Sequence, residues 1–338
     1  MLRLKPKPVA SAVLLTLSLA LSAFAQKPEK SEEDKMAREV IHEKPTEYKI
    51  IASRSPVKAF AVLSDAVWYA TDEIVIWQST ASVKGKPLMQ QYPKLGNIAS
   101  TGVTSMAIER GGSVWFACDE GVAVARGKNV TSYTSADGIP EGKVLAVAAG
   151  SGGDVWIGTE NGAARFNGSS WTKYTTSDGL ASNRVQALIA NSRGEMYLGT
   201  NKGLSVHNGS SFQNYNAKNT GNSGLEWNNV SVLAKEPNSD VIWMTDGPKN
   251  LNTFNGREWK RYVEIQEGIT SIMNDTRRTW FGSESGLLRF NGEEWVSDKN
   301  MHGVQAEQVY AMYRDELSGN LYFGMEKGVM ILSNPYRR

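Results

Sequence analysis

The sequence predicts an all-β protein, a seven-bladed β-propeller built from four-stranded blades. The first observation is a strand motif that recurs seven times, each copy with an aromatic anchor. The anchors lie about 42 residues apart, which is the repeat length of propeller blades rather than of helical solenoids. The second observation is an Asn-Gly pair, a strong hairpin signal, after four of the copies. The anchors are Trp68, Trp115, Trp156, Tyr197, Trp243, Trp280 and Tyr322.

The fourth repeat shows how one blade is assembled. Val185–Ala190 is apolar at nearly every position, which predicts an inner strand covered on both sides by neighbouring blades. A second strand follows at Met196–Thr200, and a third runs through Val206 to Asn208-Gly209. We expect a two-residue type I′ turn there, because that turn needs positive φ at both positions. An outer strand around Tyr215 completes the blade.

The two ends of the chain predict how the ring closes. The seventh repeat ends after its third strand, near Leu332, and lacks an outer strand. The stretch from Glu47 to Ile51 precedes the first repeat and has the pattern of an outer strand. We therefore predict that this N-terminal strand completes the last blade and covers an edge that would otherwise invite aggregation.

Residues 1–25 resemble a secretory signal peptide. Three basic side chains precede the apolar run Val9–Leu21, and Ala23-Phe24-Ala25 has the small residues of a cleavage site. The alternative is a membrane anchor, but the apolar run is short for a transmembrane helix. We expect cleavage after Ala25 and a secreted, periplasmic or cell-surface protein with no membrane span after signal cleavage.

Composition and charge indicate how the rest of the chain is organised and which classes of function are unsupported. Residues 26–45 are densely charged and predict a flexible tether, and residues 46–338 form the propeller. Removing residues 1–25 changes the charge balance from 37 − 35 = +2 to 34 − 35 = −1, which gives no support to nucleic-acid binding.

The single cysteine, Cys118, excludes an internal disulfide and is best explained as a small buried thiol. We expect a monomer.

The repeat resembles a known family. The string VWIGTENGAARFNGSSWTKYTTSDGLASNRV (Val155–Val185) looks like the two-component-regulator propeller repeat. The resemblance implies the propeller fold and a ligand-sensing role, because the family includes the exported sensor portions of bacterial hybrid signalling proteins and some stand-alone propellers. The long sensors continue into a membrane helix and a kinase, and no such segment follows here. We therefore expect any signalling to need a separate partner.

One turn position carries an acidic or amide residue in every repeat. A ring of carboxylates could bind a cation or a polyhydroxyl ligand. The alternative is that each side chain accepts hydrogen bonds from its own turn, and we favour it because turn chemistry repeats whereas a binding site usually breaks symmetry. The residues are Asp72, Asp119, Glu160, Asn201, Asp246, Glu284 and Glu326.

Residues that differ between blades are the better site candidates. We expect the loops from outer to inner strands to open on the same face as that turn. The loop Asn216–Asn229 is longer than its equivalents, and its Trp227 could stack on a sugar ring or, alternatively, fill the blade junction. The ligand-binding candidates are Lys58, Arg184, Trp227, Asn228, Glu307 and Tyr310, and Lys143, Glu267 and His302 share the predicted face.

The sequence offers little for catalysis. The three histidines, His42, His207 and His302, have no metal-ligand spacing, and no nucleophile elbow is present. We expect no catalytic residues, no metal and no cofactor. The leading hypothesis is a non-catalytic, sensor-type binding propeller for a glycan fragment, a peptide or an envelope protein. The alternatives are a carboxylate-dependent, polysaccharide-active enzyme and a protein-interaction scaffold.

Overall fold

A computed structural model describes residues 48–83, 86–247, 249–262, 265, 268–275, 277–298 and 307–334. The predicted signal peptide and tether lie outside these residues. The described chain is nearly all β, with two 3₁₀ turns at Ser135–Asp137 and Thr176–Asp178. Within this part of the chain, no helix has the length and apolar character that crossing a bilayer requires.

Seven four-stranded antiparallel sheets form the predicted propeller. We number the blades in chain order and name each strand from the channel outward. Blade 1 contains Ala59–Val62, Ala66–Ala70, Val75–Val83 and Lys86–Tyr92. Blade 2 contains Ser105–Ile108, Val114–Cys118, Gly121–Arg126 and Asn129–Tyr133. Blade 3 contains Val144–Ala149, Val155–Thr159, Gly162–Phe166 and Trp171–Tyr174. A small hairpin, Lys94–Leu95 with Ile98–Ala99, lies between blades 1 and 2.

The later blades follow the same order. Blade 4 contains Val185–Ala190, Met196–Thr200, Gly203–His207 and Phe212–Tyr215. Blade 5 contains Leu233–Lys235, Ile242–Thr245, Leu251–Phe254 and Trp259–Tyr262. Blade 6 contains Ile269–Asn274, Thr279–Ser283, Gly286–Phe290 and Trp295–Asp298. Blade 7 contains Val309–Arg314, Leu321–Met325 and Gly328–Leu332, and its outer strand is Tyr48–Ala52.

The outer strand of blade 7 comes from the beginning of the described chain. Tyr48–Ala52 pairs antiparallel with Gly328–Leu332, and the register places Ile50 opposite Met330. The side chain of Ile51 is buried between blades 7 and 1. This pairing joins the two ends of the propeller, so that the last sheet has its four strands.

The apolar core lies between adjacent blades, where the aromatic anchors are buried. Four of the tryptophan anchors also use their indole N–H group. Trp115 donates to Glu109 (2.8 Å), Trp156 to Asp154 (2.8 Å), Trp243 to Glu236 (2.9 Å) and Trp280 to Asp275 (2.6 Å). Each acceptor precedes its anchor in the turn between the first and second strands. A buried indole therefore satisfies its polar group at the blade's end.

The Asn-Gly turns differ from the type I′ turns that the sequence predicted. Asn228 is the one described residue other than glycine with positive φ, so Asn291 and its equivalents cannot occupy a type I′ position. Instead, the Asn291 side chain accepts hydrogen bonds from the backbone N–H groups of Glu293 (2.9 Å) and Glu294 (2.8 Å). Gly292 alone takes the left-handed conformation, with φ of 104°. Side-chain capping thus replaces the second positive φ.

Candidate functional site

The outer-to-inner connections and the turns between second and third strands open on one side of the ring, as the sequence predicted. We call this side the loop face, and the opposite side, which carries the other two sets of turns, the turn face. Contacts between adjacent blades establish the loop face. Arg184 Nη1 lies 2.9 Å from Glu160 Oε1, and Lys143 Nζ lies 3.2 Å from Asp119 Oδ2. In each pair the basic residue lies in the connection that leads into a blade, and the acidic residue lies in the turn between the second and third strands of the preceding blade.

A central channel passes between the seven inner strands and encloses a cavity of about 300 Å³. Four inner strands have a register shift near their loop-face end, which marks a β-bulge. A bulge redirects a side chain out of the regular sheet pattern. The residues at the four shifts, all of which line the channel, are Leu145, Gln186, Thr270 and Tyr310. The channel mouth therefore differs from blade to blade.

The structure brings two of the predicted site residues, Lys58 and Tyr310, to this channel mouth. Lys58 Nζ lies 2.6 Å from Asp72 Oδ1, and the Tyr310 hydroxyl donates to Glu326 Oε2 over 2.6 Å. The hydrogen bond to the Glu326 carboxylate, followed by burial, raises the pKa of Tyr310 to about 12. Both side chains are thus held by neighbouring carboxylates.

We call the acidic or amide residues that recur at the turn between the second and third strands the acidic column. Residues of this column bind the loops that connect neighbouring blades. The hydrogen bond from Arg184 is the main cause that lowers the pKa of Glu160. The side-chain hydrogen bonds within this turn are made by Thr159, the residue before Glu160. Thr159 Oγ1 donates to the Gly162 carbonyl (2.9 Å) and accepts from the Asn161 N–H (3.0 Å). The interpretation of the acidic residues as acceptors from their own turns was therefore wrong at this blade. The described residues contain no cluster that could hold a metal ion.

The remaining predicted residues lie apart from Lys58 and Tyr310. Glu307 forms an ion pair with Lys327 at the loop-face end of blade 7. Arg184 lies at the junction of blades 3 and 4. Trp227 and Asn228 lie in the connection from blade 4 to blade 5. Glu267 and His302, which the sequence placed on the same face, lie outside the described residues.

The Trp227 connection is anchored by a buried carboxylate. Asp246 is fully buried, and its carboxylate accepts the backbone N–H groups of Glu226 and Trp227, the latter at 2.9 and 3.0 Å. Arg261 donates to the Gly224 carbonyl from Nε (2.9 Å) and Nη2 (2.7 Å). Leu225 is buried between these two fastenings. The loop is thus held on both sides of its only buried apolar side chain.

With the loop held by these hydrogen bonds, the Trp227 residue remains 65% exposed. It rests on Gly247, where an added Cβ would lie 3.3 Å from Trp227 Cβ and Cγ. Asn228 adopts a left-handed conformation, with φ of 69°, and its side chain accepts the Ala217 N–H over 2.6 Å. Trp227 therefore does not fill the blade junction, and the loop presents it to solvent.

Two groups with nucleophilic or acid–base potential are buried structural elements. Cys118 is fully buried, and desolvation is the main cause that raises its pKa to about 12. His207 is also buried, which lowers its pKa, and its ring packs against Trp156 and Phe212. His207 ends the third strand of blade 4, so it lies toward the turn face. The prediction of a small buried thiol at Cys118 is confirmed.

Comparisons with known proteins add the fold relationship. No protein-family model and no curated protein matches the chain. The extracellular domain of BT3049 from B. thetaiotaomicron, named as a hybrid two-component system, is 17% identical with a TM-score of 0.67. That of BT4673 from the same organism, named as a one-component system, is 12% identical with a TM-score of 0.69. The alignments cover 86% and 87% of this chain.

This chain spans less than half of those two extracellular domains, 42% of each. It is also similar to a catalytically inactive histidine-to-alanine variant of virginiamycin B lyase from Staphylococcus aureus, solved with quinupristin. There the identity is 14%, the TM-score is 0.66, and the coverage is 85% of this chain and 99% of the lyase. These similarities establish the fold. The similarity to extracellular domains of regulators is consistent with the two-component-regulator propeller family that the repeats resemble.

The sequence pointed to Trp227 and Asn228 but missed the residues that hold them in place. Asp246 was grouped with the acidic column, although it alone is fully buried within it. Arg261 was not considered, since its partner is a backbone carbonyl in a distant loop. A usable signal existed, because the turn that contains Asp246 is one residue longer than in the other repeats.

Proposed function

We propose that this chain is an exported, non-catalytic, sensor-type binding propeller that recognises its ligand on the loop face through Trp227. The observation that carries the proposal is the exposure of Trp227 on a loop held by a buried carboxylate. An exposed indole gains no burial energy in the free protein, whereas a ligand that covers it would gain apolar contact. Because the loop is held in place beforehand, less ordering entropy is lost on binding.

The composition of the loop favours a glycan fragment among the three ligand classes. The loop that carries the indole, residues 216–229, is rich in asparagine and also contains serine and threonine. Such side chains bind sugar hydroxyls while an aromatic ring stacks on the sugar. Asn250 donates to Glu226 over 3.1 Å beside this loop and adds a further polar group. A peptide or an envelope protein would instead need apolar contacts beyond the single indole.

The lack of catalysis in the proposal rests on how the described ionisable groups are used. The thiol of Cys118 and the imidazole of His207 are buried, and the loop-face carboxylates Asp72, Asp119 and Glu160 form ion pairs. A glycosidase needs two carboxyl groups that face a substrate across a cleft. Export is supported by the signal-like residues 1–25 and by the extracellular neighbours BT3049 and BT4673.

The test is a thermal-shift screen of the purified chain against oligosaccharides and peptides, followed by calorimetry with any compound that stabilises it. Trp227→Ala should weaken that compound's binding by about 5- to 150-fold, which corresponds to about 1–3 kcal/mol, and should leave the melting temperature of the free protein unchanged. The matched control is Leu317→Ala, which removes an exposed apolar side chain in the first turn of blade 7.

Normal binding by Trp227→Ala would move the site elsewhere, and loss of the fold would make the indole structural. Hydrolysis or cleavage of a stabilising oligosaccharide during the assay would instead support the enzyme hypothesis. Binding of a folded partner across a broad surface, with several loop-face substitutions each contributing little, would support the scaffold.

A further inference from the structure

A second cavity lies on the turn face, between blades 5 and 6, and encloses about 390 Å³. Its floor contains Trp243, Tyr262 and Phe290, with the rings of Trp243 and Tyr262 stacked at 4.8 Å. Its volume falls within the range of about 300–1,000 Å³ that small-molecule sites occupy. It belongs to neither the channel nor the Trp227 loop, so it is independent of the proposed function.

Three cations line this cavity: Lys260, Arg277 and Arg278. The two arginines stand where no other blade has a basic residue. Arg277 lies three residues before its anchor, a position that is otherwise glycine or aspartate, and Arg278 lies two residues before it. Lys260 lies two residues before Tyr262, where blades 2, 3 and 4 have threonine or glutamine and the outer strand of blade 7 has Lys49. Repeat geometry explains neither arginine, and departures from a repeat are where a binding site is expected.

Two carboxylates are among the described lining residues, and both accept structural hydrogen bonds. Glu236 accepts the Trp243 indole N–H (2.9 Å) and the Ser239 hydroxyl (2.6 Å). Asp275 accepts the Trp280 indole N–H (2.6 Å) and the backbone N–H groups of Arg277 (2.6 Å) and Arg278 (2.8 Å). Among the described lining residues, three basic side chains therefore stand beside two carboxylates.

The neighbouring junction shows the opposite charge arrangement. Between blades 4 and 5, Asp240 occupies the position equivalent to Arg277 and lies 3.0 Å from Arg193 Nη1. The Arg193 guanidinium lies against Gly256, where an added Cβ would be 2.9 Å from Nη2. At the equivalent Gly292 of the next blade, an added Cβ would meet no heavy atom within 4 Å. An anion in the second cavity would face Arg277 much as Arg193 faces Asp240.

A donor on the cavity wall adds independent evidence for a ligand. Asn274 is 92% buried, its Oδ1 accepts from Thr279 (2.7 Å), and its Nδ2 finds no hydrogen-bond partner in the structure. An unsatisfied buried donor destabilises the protein. A bound ligand oxygen that Asn274 Nδ2 can reach would remove that destabilisation. At the rim, Lys260 Nζ sits 4.7 Å from the centre of the Tyr262 ring, which places a cation beside an aromatic surface.

We propose that this cavity binds an anionic sugar, whose carboxylate or sulfate meets Lys260, Arg277 and Arg278. Arginine pairs suit these planar or tetrahedral anions because the guanidinium offers several donors in a fixed geometry. The hydroxyls of the sugar are matched by the amides of Asn238 and Asn291 at the rim, and its ring by Tyr262. An aliphatic anion would use the cations and leave the aromatic and amide groups unmatched.

The experiment measures binding of glucuronate, glucose 6-sulfate, glucose and inorganic sulfate to the purified full chain by calorimetry at low ionic strength. We expect at least one of the two anionic sugars to bind at least tenfold more tightly than both glucose and inorganic sulfate. Lys260→Gln and Arg277→Gln should each weaken that binding at least fivefold. Lys173→Gln, which neutralises an exposed lysine on the outer strand of blade 3, and Trp227→Ala should leave it unchanged.

Several results would overturn the proposal. Equal binding of glucose would remove the role of the anion, and equal binding of inorganic sulfate would remove the role of the sugar. Full affinity in the Lys260→Gln/Arg277→Gln double variant would place the anion elsewhere. No detectable binding of either sugar by the folded wild type would contradict the proposal itself. Because Lys260 and Arg277 are exposed, circular dichroism should show folded variants, and Lys260→Gln alone suffices if the double variant unfolds.

Discussion

Replacing Asp246 by asparagine tests whether one buried carboxylate holds the Trp227 loop. Asp246→Asn preserves the size of the side chain but exchanges one acceptor oxygen for an NH₂ group that faces the backbone N–H groups of Glu226 and Trp227. Hydrogen bonds to a charged group contribute about 1.5–3 kcal/mol, and an unsatisfied buried donor costs about 1–3 kcal/mol. We therefore expect Asp246→Asn to destabilise the attachment of the loop by about 2–3 kcal/mol. If the loop opens locally, the effect is confined to the loop; if it does not, the free energy of unfolding of the whole ring falls.

Two measurements separate these outcomes. Limited proteolysis should cut Asp246→Asn faster than the wild type within residues 216–229, and the melting temperature should fall by a few degrees if the effect reaches the ring. The matched control is Asp119→Asn, which changes the same column in blade 2. Its carboxylate forms an exposed pair with Lys143, so the cost should stay below about 1 kcal/mol. Wild-type proteolysis and melting in Asp246→Asn would refute the argument that this carboxylate holds the loop.

Two further predictions concern ring closure and the cysteine. Deleting residues 1–52 should lower the melting temperature relative to deleting residues 1–47, because it removes the strand paired with Gly328–Leu332 and exposes the site of Ile51, whose burial alone is worth about 2 kcal/mol; equal melting temperatures would contradict it. Burial raises the pKa of Cys118 to about 12, so its stabilising contribution is fully present below the unfolded value of about 8.5 and declines as pH rises toward 12. A thiol reagent at pH 8 should therefore modify unfolded but not native protein, and rapid native labelling would argue against a buried thiol.

The fold was predictable because each blade repeats the same physical solution. An apolar inner strand, an aromatic anchor and a turn glycine recur at a fixed spacing, so seven weak signals reinforce one another. The Asn-Gly turns were predicted in the right places with the wrong geometry. Sequence alone does not distinguish two positive φ angles from one positive φ with a side-chain cap, because both use asparagine followed by glycine.

The candidate site was predictable only as far as single residues depart from the repeat. Trp227 stood out as an aromatic residue in a polar loop, and its exposure agrees with that expectation. The groups that hold it come from distant parts of the chain, since Asp246 and Arg261 follow it by 19 and 34 residues. Periodicity carries no information about such pairings. Lys58 and Arg184 were chosen for variability alone, and both proved to have carboxylate partners in turns of the same face.

Blade 5 borders both proposed sites, and its departures from the repeat share a physical basis. Its inner strand, Leu233–Lys235, has only three residues, and the connection before it has 17 residues (216–232) against 10 (175–184) before blade 4. In a closed ring each blade contacts only its two neighbours, so an irregular blade costs its own junctions and little beyond them. The anchor Trp243 remains buried against blade 6, where it contacts Phe281 at 5.6 Å. A regular core can therefore carry unusual groups on both faces around blade 5: the exposed indole in the connection before it, and the cations of blades 5 and 6 on the turn face.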